Sequence, residues 1–340
     1  MIRELLPRLV RGERLAREET AAAIRSMMQG GEDPALVGAF LMALAQRGET
    51  ADELAGAAEA LRAEAVPFPG EGPFLDTCGT GGDGTHTYNI STVVGLIAAA
   101  AGRRVAKHGN RSVSSRCGSA DVLEALGARV DLGPEGAMRA LEETGFCFLY
   151  APRFHPSMKE VAGVRRSLGV RTLFNWAGPL ANPARATHQL LGVSDRARVD
   201  VVARVLDSLG VERALVVHGT GGLDELALER GNHAVWVERG QLPRSVTVEA
   251  EEIDLPEAPV RALEGGTPEE NAAHVRAVLA GQAGARRNAA LLNAAAALWV
   301  AGAADSLKDA AALAREALDS GAAARVLDRY VALSREMGSD

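Results

Sequence analysis

The sequence predicts an α/β protein: a large α/β domain with a mostly parallel central sheet, a small all-α domain, and a cleft between the two. Residues 1–65 carry helical patterns only, and residues 66–70 (VPFPG) interrupt them. From residue 74 onward, short apolar strands alternate with helices, which is typical of a parallel sheet covered by helices. At 340 residues the chain has room for two domains.

The expected domain boundaries follow from these changes of pattern. We predict the small helical domain at residues 1–68 and the large α/β domain at residues 73–160 and 186–340. A segment at about residues 162–184 interrupts the alternation of strand and helix, and it is rich in arginine. We expect this inserted segment to pack on the small domain and to form one wall of the cleft.

Local signals place the individual elements. Asp33 before Pro34 predicts a helix start, and Thr50 with Glu53 fits a capping box ahead of the next helix. Strands are expected at residues 74–75, 104–108, 146–151, 189–193, 214–218 and 233–237. Helices are expected at residues 91–101, 120–126, 134–143 and 198–209, and near the C-terminus at residues 288–303 and 310–330.

Composition narrows the class of protein. The net charge of −7 argues against a chain devoted to coating nucleic acid, and no apolar run approaches the about 20 residues of a membrane helix. The charged N-terminus lacks the apolar region of a signal peptide, so we expect a cytoplasmic protein. Cys78, Cys117 and Cys147 lack metal-ligand spacing and are expected as small buried side chains.

The stretch from Phe74 to Thr92 carries the clearest binding signal. Its four glycines allow close approach to a ligand, and hydroxyl and amide side chains surround them. A strand, a glycine-rich turn and a helix N-terminus together form an anion site, for which phosphate is the expected guest. The turn also fits G-x-G-x-x-G, but the next strand ends in Lys107 and His108 rather than in an acid. Cofactor binding by an NADP-dependent dehydrogenase is therefore an alternative interpretation.

Two later loops should lie at the same edge of the sheet, because parallel strands all end there. Lys107 to Arg111, with the serines that follow, suit a polyanion larger than one phosphate. Ser119 could cap the helix that it opens and also donate to a phosphate. Asp224 and Glu225 suit Mg²⁺, although an acidic first turn that complements a helix dipole would give the same pattern.

The inserted segment supplies candidates for binding a carboxylate. Arg165, Arg166 and Arg171 lie there, and a guanidinium can bind a carboxylate with two parallel hydrogen bonds. Most such arginines in proteins are solvated or paired. No histidine lies in an arrangement typical of a nucleophile triad, so we assign no catalytic base.

Six motifs in this order resemble the anthranilate phosphoribosyltransferase family: GTGGDGxxTxNIST, KHGNR, SSxCGSADVLEALG, VRRSLG, FNxxGPLxNPA and HGxxGxDE. The resemblance covers nearly the whole chain. It implies Mg²⁺-dependent transfer of phosphoribosyl from 5-phosphoribosyl 1-pyrophosphate (PRPP) to the amine of anthranilate, in tryptophan biosynthesis. It also implies a homodimer formed through the helical domain. The net charge and the lack of a long apolar run lead us to expect no nucleic-acid and no membrane partner.

The resemblance extends to individual site residues. For PRPP it implies Gly79, Gly82, Asp83, Thr87, Asn89, Ile90, Ser91, Thr92, Lys107, His108, Gly109, Asn110, Arg111, Ser112, Val113, Ser114, Ser115 and Ser119. For Mg²⁺ it implies Ser91, Asp224 and Glu225. For anthranilate it implies Gly79, Asn110 and Arg165, with Arg165 facing the carboxylate. Gly221 departs from the pattern, because the family often has an acid there.

These expectations imply a simple mechanism. An aromatic amine needs little activation, so we expect no nucleophile and no covalent intermediate, with Lys107 and Mg²⁺ neutralising the leaving pyrophosphate. A pyrimidine nucleoside phosphorylase of the same fold is the nearest alternative, but phosphorolysis has no pyrophosphate for an acidic pair and Mg²⁺ to hold. A nucleic-acid-binding relative should show basic surface stripes and damaged metal motifs, which the net charge of −7 and the complete motifs oppose.

Overall fold

The N-terminal part of the chain is helical. A computed structural model describes residues 1–112 and 116–337. The first helices are α1 at Ile2–Val10, α2 at Arg17–Met28, α3 at Pro34–Arg47 and α4 at Ala51–Ala63. The Asp33 carboxylate accepts a hydrogen bond from the Ala35 amide at 2.8 Å, and Thr50 with Glu53 forms a capping box. Both predicted helix starts are therefore confirmed.

The strands of the described residues build one seven-stranded sheet. They are β1 at Leu75–Gly79, β2 at Val105–Gly109, β3 at Phe146–Tyr150, β4 at His188–Gly192, β5 at Arg213–His218, β6 at His233–Glu238 and β7 at Arg244–Val246. Their order is β3-β2-β1-β4-β5-β6-β7. The first five strands in the chain pair in parallel, whereas β6 and β7 are added antiparallel at one edge. The prediction of a mostly parallel sheet is confirmed.

Eleven helices follow α4 in the described residues, and some of them pack on the two faces of this sheet. They are α5 at Ile90–Ala100, α6 at Ser119–Ala125, α7 at Pro134–Thr144, α8 at Ala151–Phe154, α9 at Lys159–Leu168, α10 at Leu173–Ala177, α11 at Val199–Ser208, α12 at Pro268–Leu279, α13 at Ala285–Val300, α14 at Leu307–Asp319 and α15 at Ala322–Glu336. The prediction of a single helix at residues 310–330 is wrong. Two helices, α14 and α15, cover this region and are separated near Gly321. The φ of Gly321 is 70°, a left-handed conformation that glycine adopts at little cost and that commonly lies next to the end of a helix.

Strand β1 is longer than the sequence predicted. The expectation was an apolar strand at residues 74–75, but β1 continues through Asp76 and Thr77, which are both fully buried. A polar strand is stable here because its side chains have partners. The Asp76 carboxylate accepts hydrogen bonds from the His108 amide at 3.2 Å and from Asn182 Nδ2 at 2.8 Å.

The apolar core has two parts, one on each face of the sheet. Alternate residues of a strand point to opposite faces, so Leu190 and Leu215 join one cluster while Leu191 and Val216 join the other. The second cluster is continuous with α1 to α4 through α11. Helices α9 and α10 also pack on this bundle, α9 on α2 and α3, and α10 on α3 and α4. These contacts support our proposed boundaries, in which the segment near residues 162–184 packs on a domain of residues 1–68.

Two further expectations from the sequence concern the three cysteines and the possibility of a membrane-spanning helix. Cys78, Cys117 and Cys147 are buried thiols, as predicted. Among the described residues, no helix combines the length and the apolar character needed to cross a membrane.

Candidate active site

Two adjoining cavities open at the edge of the sheet where the parallel strands end. The polar cavity, of about 300 Å³, lies between the loop after β1, the loop after β2, and the acidic segment that follows β5. The apolar cavity, of about 460 Å³, lies between the same sheet edge and α8 to α10. The residues common to both are Cys78, Gly79, Thr80, His108, Gly109, Asn110, Arg111 and Asn175. A ligand in one cavity can therefore meet a ligand in the other across this shared wall.

The structure brings most of the predicted site residues to these cavities. The polar cavity is lined by the predicted residues Gly79, Gly82, Asp83, Thr87, Asn89, Ile90, Ser91, Lys107, His108, Gly109, Asn110, Arg111, Ser112, Ser119, Asp224 and Glu225. Gly79, Asn110 and Arg165 all line the apolar cavity. Thr92 lines neither cavity, because its side chain is fully buried in α5. Arg166 and Arg171, the other two carboxylate-binding candidates of the inserted segment, also line neither cavity. Val113, Ser114 and Ser115 lie outside the described residues.

The glycine-rich turn after β1 is shaped by backbone conformation and by close packing. Gly81, Gly82 and Gly84 have φ between 64° and 75°, the left-handed region that favours glycine. The Gly81 amide donates a hydrogen bond to Asp224 Oδ2 at 2.7 Å. A Cβ atom at Gly79 would lie 2.3 Å from that same oxygen. Glycine at position 79 is thus required to let Asp224 approach the turn.

The acidic segment at the floor of the polar cavity concentrates negative charge. Burial, together with the neighbouring Asp83 carboxylate, raises the pKa of Asp224 to about 7. Burial and the adjacent Asp224 raise the pKa of Glu225 well above its usual range, while Lys107 opposes that rise. The Glu225 carboxylate also accepts a hydrogen bond from the Ser91 backbone. Such a cluster of carboxylates is stabilised in its charged form by a cation.

Lys107 carries a buried positive charge beside this cluster and acts on Glu225. Its side chain is almost fully buried, and its Nζ donates hydrogen bonds to the Thr77 carbonyl and to Ser91 Oγ, the latter at 3.1 Å. Burial lowers the pKa of Lys107, and the buried Asp76 carboxylate opposes this effect. Because β1 and β2 are neighbours in the sheet, the ammonium group is held at the end of the polar cavity by two strands.

The donor set of the polar cavity fits Mg²⁺. Ser91 Oγ and the carboxylates of Asp224 and Glu225 are hard oxygen ligands that line the same cavity. Within residues 1–112 and 116–337, no group of three or more His, Cys, Asp or Glu residues is arranged to hold a metal ion. Mg²⁺ commonly binds one or two protein carboxylates and takes its remaining ligands from waters and phosphate oxygens.

Gly221 departs from the family pattern, and the backbone conformation at this position explains why glycine is suited to it. It lies in the turn Thr220–Gly222 with φ of 79° and ψ of 6°, a left-handed conformation that an acidic side chain adopts with strain. A Cβ atom at Gly221 would also lie 3.2 Å from Val260 Cγ2. The turn therefore favours glycine, and the Asp224–Glu225 pair remains in place beside it.

The loop after β2 is held mainly by acidic partners. Arg111 forms ion pairs with Glu124 and Asp121, the latter at 3.3 Å, so its charge is already engaged inside the protein. Asp121 also accepts hydrogen bonds from the amides of Ser112 at 2.9 Å and Gly118 at 2.8 Å. The expectation that Ser119 caps α6 is wrong, because Gly118 is the N-cap and the Ser119 hydroxyl donates instead to the Asn110 carbonyl at 3.3 Å.

Three cationic side chains line the apolar cavity, Arg111, Lys159 and Arg165, and Arg165 lies beside an aromatic ring. Arg165, at the end of α9, lies with its guanidinium carbon 5.4 Å from the centre of the Phe174 ring. The structure shows no ion pair or side-chain hydrogen bond from Arg165 to another described residue, and burial lowers its pKa. His108 and His155, with ring centres 5.1 Å apart, line the same cavity, and the Nε2 atom of each lacks a partner in the described part of the chain. A carboxylate attached to an aromatic ring matches this chemistry.

Several lining residues were not predicted from the sequence. Phe174, Asn175, Gly178 and Pro179 line the apolar cavity and belong to the FNxxGPLxNPA motif, which therefore carried a signal that could have assigned them. His155 had no such signal, because it reaches the site only through the fold. The segment around Thr87 is held by an antiparallel bridge to Glu264, a contact between residues that are distant in the chain.

Comparisons with known proteins agree with this architecture. The sequence model of the "Glycosyl transferase family, helical bundle domain" matches residues 3–65, and that of the "Glycosyl transferase family, a/b domain" matches residues 71–324. The chain is 51% identical over 334 residues to an anthranilate phosphoribosyltransferase of Roseiflexus castenholzii, covering 98% of each chain. It is 50% identical over 333 residues to that of Moorella thermoacetica, again covering 98% of each.

Solved structures show the same similarity. Anthranilate phosphoribosyltransferase from Thermus thermophilus superposes with a TM-score of 0.90 at 47% identity, covering 97% of this chain and 99% of that one. The Saccharomyces cerevisiae enzyme in complex with PRPP and Mg superposes with a TM-score of 0.89 at 25% identity, covering 99% of this chain and 98% of that one. With identity near one half over almost the full length of its relatives, this chain belongs to the anthranilate phosphoribosyltransferase family.

Proposed function

We propose that the polar cavity binds PRPP with Mg²⁺ and that the apolar cavity binds anthranilate, so that the two substrates meet at the shared wall. The activity is that of an anthranilate phosphoribosyltransferase, a pentosyltransferase. It transfers 5-phosphoribosyl from PRPP to the amine of anthranilate and gives N-(5-phosphoribosyl)anthranilate and pyrophosphate, the second step from chorismate in tryptophan biosynthesis. The observation that supports the assignment of subsites is the contact of two cavities with complementary chemistry.

The chain's own residues position the two substrates. Residues of the glycine-rich turn and of the N-terminus of α5 line the polar cavity, and this combination is suited to the phosphates of the donor. Arg165 is suited to the carboxylate of anthranilate, since its guanidinium has no other charged partner in the described chain. The amine nitrogen attacks C1 of the ribose while the bond from C1 to the pyrophosphate oxygen breaks. The Lys107 ammonium lies where it reduces the growing charge of the leaving group.

Ser91, Asp224 and Glu225 are the residues that would hold Mg²⁺. When bound, the ion neutralises pyrophosphate as a Lewis acid. The yeast relative contains PRPP and Mg together, which supports the same cofactor here. The turn at residues 79–84 positions Asp224 through the Gly81 amide, so phosphate binding and metal binding are linked in one loop.

The first experiment is a fluorescence assay with purified protein. Anthranilate fluorescence should decay only when PRPP and Mg²⁺ are both present, and EDTA should stop the decay. Excess Mg²⁺ added after EDTA should restore it, which separates chelation from damage to the protein. Decay without PRPP, or decay that EDTA does not affect, would contradict the proposed subsites.

We also propose a homodimer formed through the helical part of the chain. An apolar groove of about 690 Å³ lies between α3 and α9, and its lining includes Gly38, Ala39, Met42, Val164 and Leu168. Met42, one of the residues that line this groove, is 36% exposed in the single chain. A second copy of the chain, packed on this groove, would bury it.

A further inference from the structure

Arg171 lies outside the six sequence motifs, and the proposed function gives it no role. It lies in the short connection between α9 and α10, in the same inserted segment as Arg165. From the sequence it was one of the candidates for binding a carboxylate. The structure instead directs its guanidinium at the backbone of the glycine-rich turn. Arg171 Nη1 donates to the Gly81 carbonyl at 2.6 Å, and Nη2 donates to the Thr80 carbonyl at 3.1 Å.

These contacts hold the turn through its carbonyl groups, whereas the acidic segment holds it through an amide group. The Gly81 amide binds Asp224 at 2.7 Å, while the Gly81 carbonyl binds Arg171. Arg171 Nη1 also donates to Ser194 Oγ at 2.8 Å, and the Ser194 amide binds Thr80 Oγ1 at 3.0 Å. One guanidinium thus joins the turn after β1 to the loop after β4. A turn built from glycines has high conformational entropy when free, so such a clamp matters more here than in an ordinary loop.

Arg171 is itself held in place by a chain of contacts into the helical bundle. Its guanidinium carbon lies 4.4 Å from the centre of the Trp176 ring, and that of Arg198 lies 5.4 Å from the same ring. Arg198 donates to the Glu49 carboxylate at 2.7 Å and to the Glu49 carbonyl at 2.8 Å. Glu49 is 4% exposed and lies in the connection between α3 and α4. The turn is therefore linked to the helical bundle through the side chains of Arg171, Trp176, Arg198 and Glu49.

We propose that Arg171 is a positioning residue that sets the glycine-rich turn for the phosphoribosyl donor, although it lies on the segment that carries the acceptor arginine. The inference rests on the proposed function, because it assumes that the turn at residues 79–84 binds PRPP. The proposal assigns different roles to two arginines that are only six positions apart in the chain. Arg165 acts on the acceptor, and Arg171 acts on the donor by holding the backbone that binds it.

The test compares the two arginines by steady-state kinetics. Arg171→Ala should raise the KM for PRPP by about tenfold or more, equivalent to about 1.4 kcal/mol, and change the KM for anthranilate less than about twofold. Arg165→Ala should show the reverse. Arg171→Lys should behave like the alanine variant, because one ammonium cannot span the carbonyls of Thr80 and Gly81 as the planar guanidinium does.

Two controls accompany these variants. Arg3→Ala removes an exposed arginine of α1 that lines neither cavity, and both KM values should stay unchanged. Calorimetric titration of PRPP with Mg²⁺, without anthranilate, measures donor binding directly. Failure of the wild type to consume anthranilate would then count against the proposed reaction, while an unchanged donor Kd in Arg171→Ala would count against the role of Arg171.

The result that overturns the inference is equally definite. If Arg171→Ala raises the KM for anthranilate as much as that for PRPP, the residue supports the acceptor segment rather than the donor turn. Ser194→Ala provides a second route if Arg171→Ala does not fold. It removes one acceptor of the same guanidinium and should raise the KM for PRPP by about two- to threefold with no change for anthranilate. An unchanged KM for PRPP there would also contradict the proposal.

Discussion

Asp224 and Glu225 are the two side chains on which metal dependence should rest. Asp224→Asn combined with Glu225→Gln keeps the side-chain shapes and removes both charges from the polar cavity. We expect kcat to fall by about 10²-fold or more, because the leaving pyrophosphate loses its counter-charge, and the response to Mg²⁺ to flatten. The measurement is the anthranilate decay rate over a Mg²⁺ titration.

A control separates this loss from unfolding. Asp305→Asn removes an acid that is exposed and distant in the chain from the site, and its kinetics should equal those of the wild type. The melting temperature of the ligand-free double variant should not fall, since burial already disfavours both charges in the folded state. If the double variant responds to Mg²⁺ as the wild type does, Asp224 and Glu225 are not metal ligands.

Asp76 gives a prediction about pH and stability. It is fully buried, and burial raises its pKa from 3.8 to about 6, with Lys107 partly opposing the rise. Between pH 3.8 and about pH 6, the folded state therefore binds more protons than the unfolded state. The contribution of Asp76 to the free energy of unfolding then falls as the pH rises through this range. Because each pKa unit corresponds to about 1.36 kcal/mol, the total change is about 3 kcal/mol.

Urea unfolding of the wild type and of Asp76→Asn, over pH 4 to 6.5, tests this. The wild-type free energy of unfolding minus that of the variant should decrease with rising pH up to about pH 6 and then level off. Any hydrogen bond that asparagine cannot make adds an offset that does not depend on pH in this range. A difference that grows with pH would mean that Lys107 holds the pKa of Asp76 low in the folded protein.

At the scale of elements, the site depends on how closely the segment after β5 approaches two neighbouring strands. A Cβ atom at Gly192, the last residue of β4, would lie 1.6 Å from the Asp224 carbonyl oxygen. That partner is backbone and cannot rotate away. Gly192→Ala should therefore displace the acidic segment, destabilise the protein by about 2 kcal/mol and weaken metal dependence together.

A matched glycine shows what an added methyl group costs elsewhere. Gly136 lies inside α7, and its nearest contacts to a Cβ atom are at 3.6 Å, an ordinary packing distance. Gly136→Ala should leave activity unchanged and should not lower the melting temperature, since alanine is the better helix former. If Gly192→Ala is stable and keeps a normal Mg²⁺ response, the close approach of β4 and Asp224 is not required for the site.

At the scale of the whole molecule, the groove between α3 and α9 predicts the oligomeric state. Met42→Glu combined with Val164→Glu places two charges in the apolar groove and should convert a dimer into a monomer, because burying unpaired charge is costly. Light scattering coupled to size-exclusion chromatography measures the mass. Leu242→Glu, at an apolar residue 87% exposed elsewhere on the surface, should leave the dimer intact. A wild type that elutes as a monomer would contradict the proposed dimer.

The sequence by itself determined the class of fold, most strands and helices, and the two loops that meet at the sheet edge. Such features depend on local patterns: apolar alternation, capping residues such as Thr50, and glycine-rich turns after strands. The family resemblance supplied the residue roles, which no periodicity contains. Most of these residues line the cavities, although the engagement of Arg111 with Glu124 could not be read from the chain.

The pairing of groups that are distant in the chain became visible only in the folded protein. Asp76 lies in a strand that looked too polar to continue, and its partner Asn182 comes from the inserted segment. Arg171 resembled any solvated arginine until the fold brought it to Gly81, 90 positions away in the chain. The physical reason is the same in each case. Local sequence sets the preference of the backbone, but burial and the pairing of polar groups depend on neighbours that the chain reaches only when it folds.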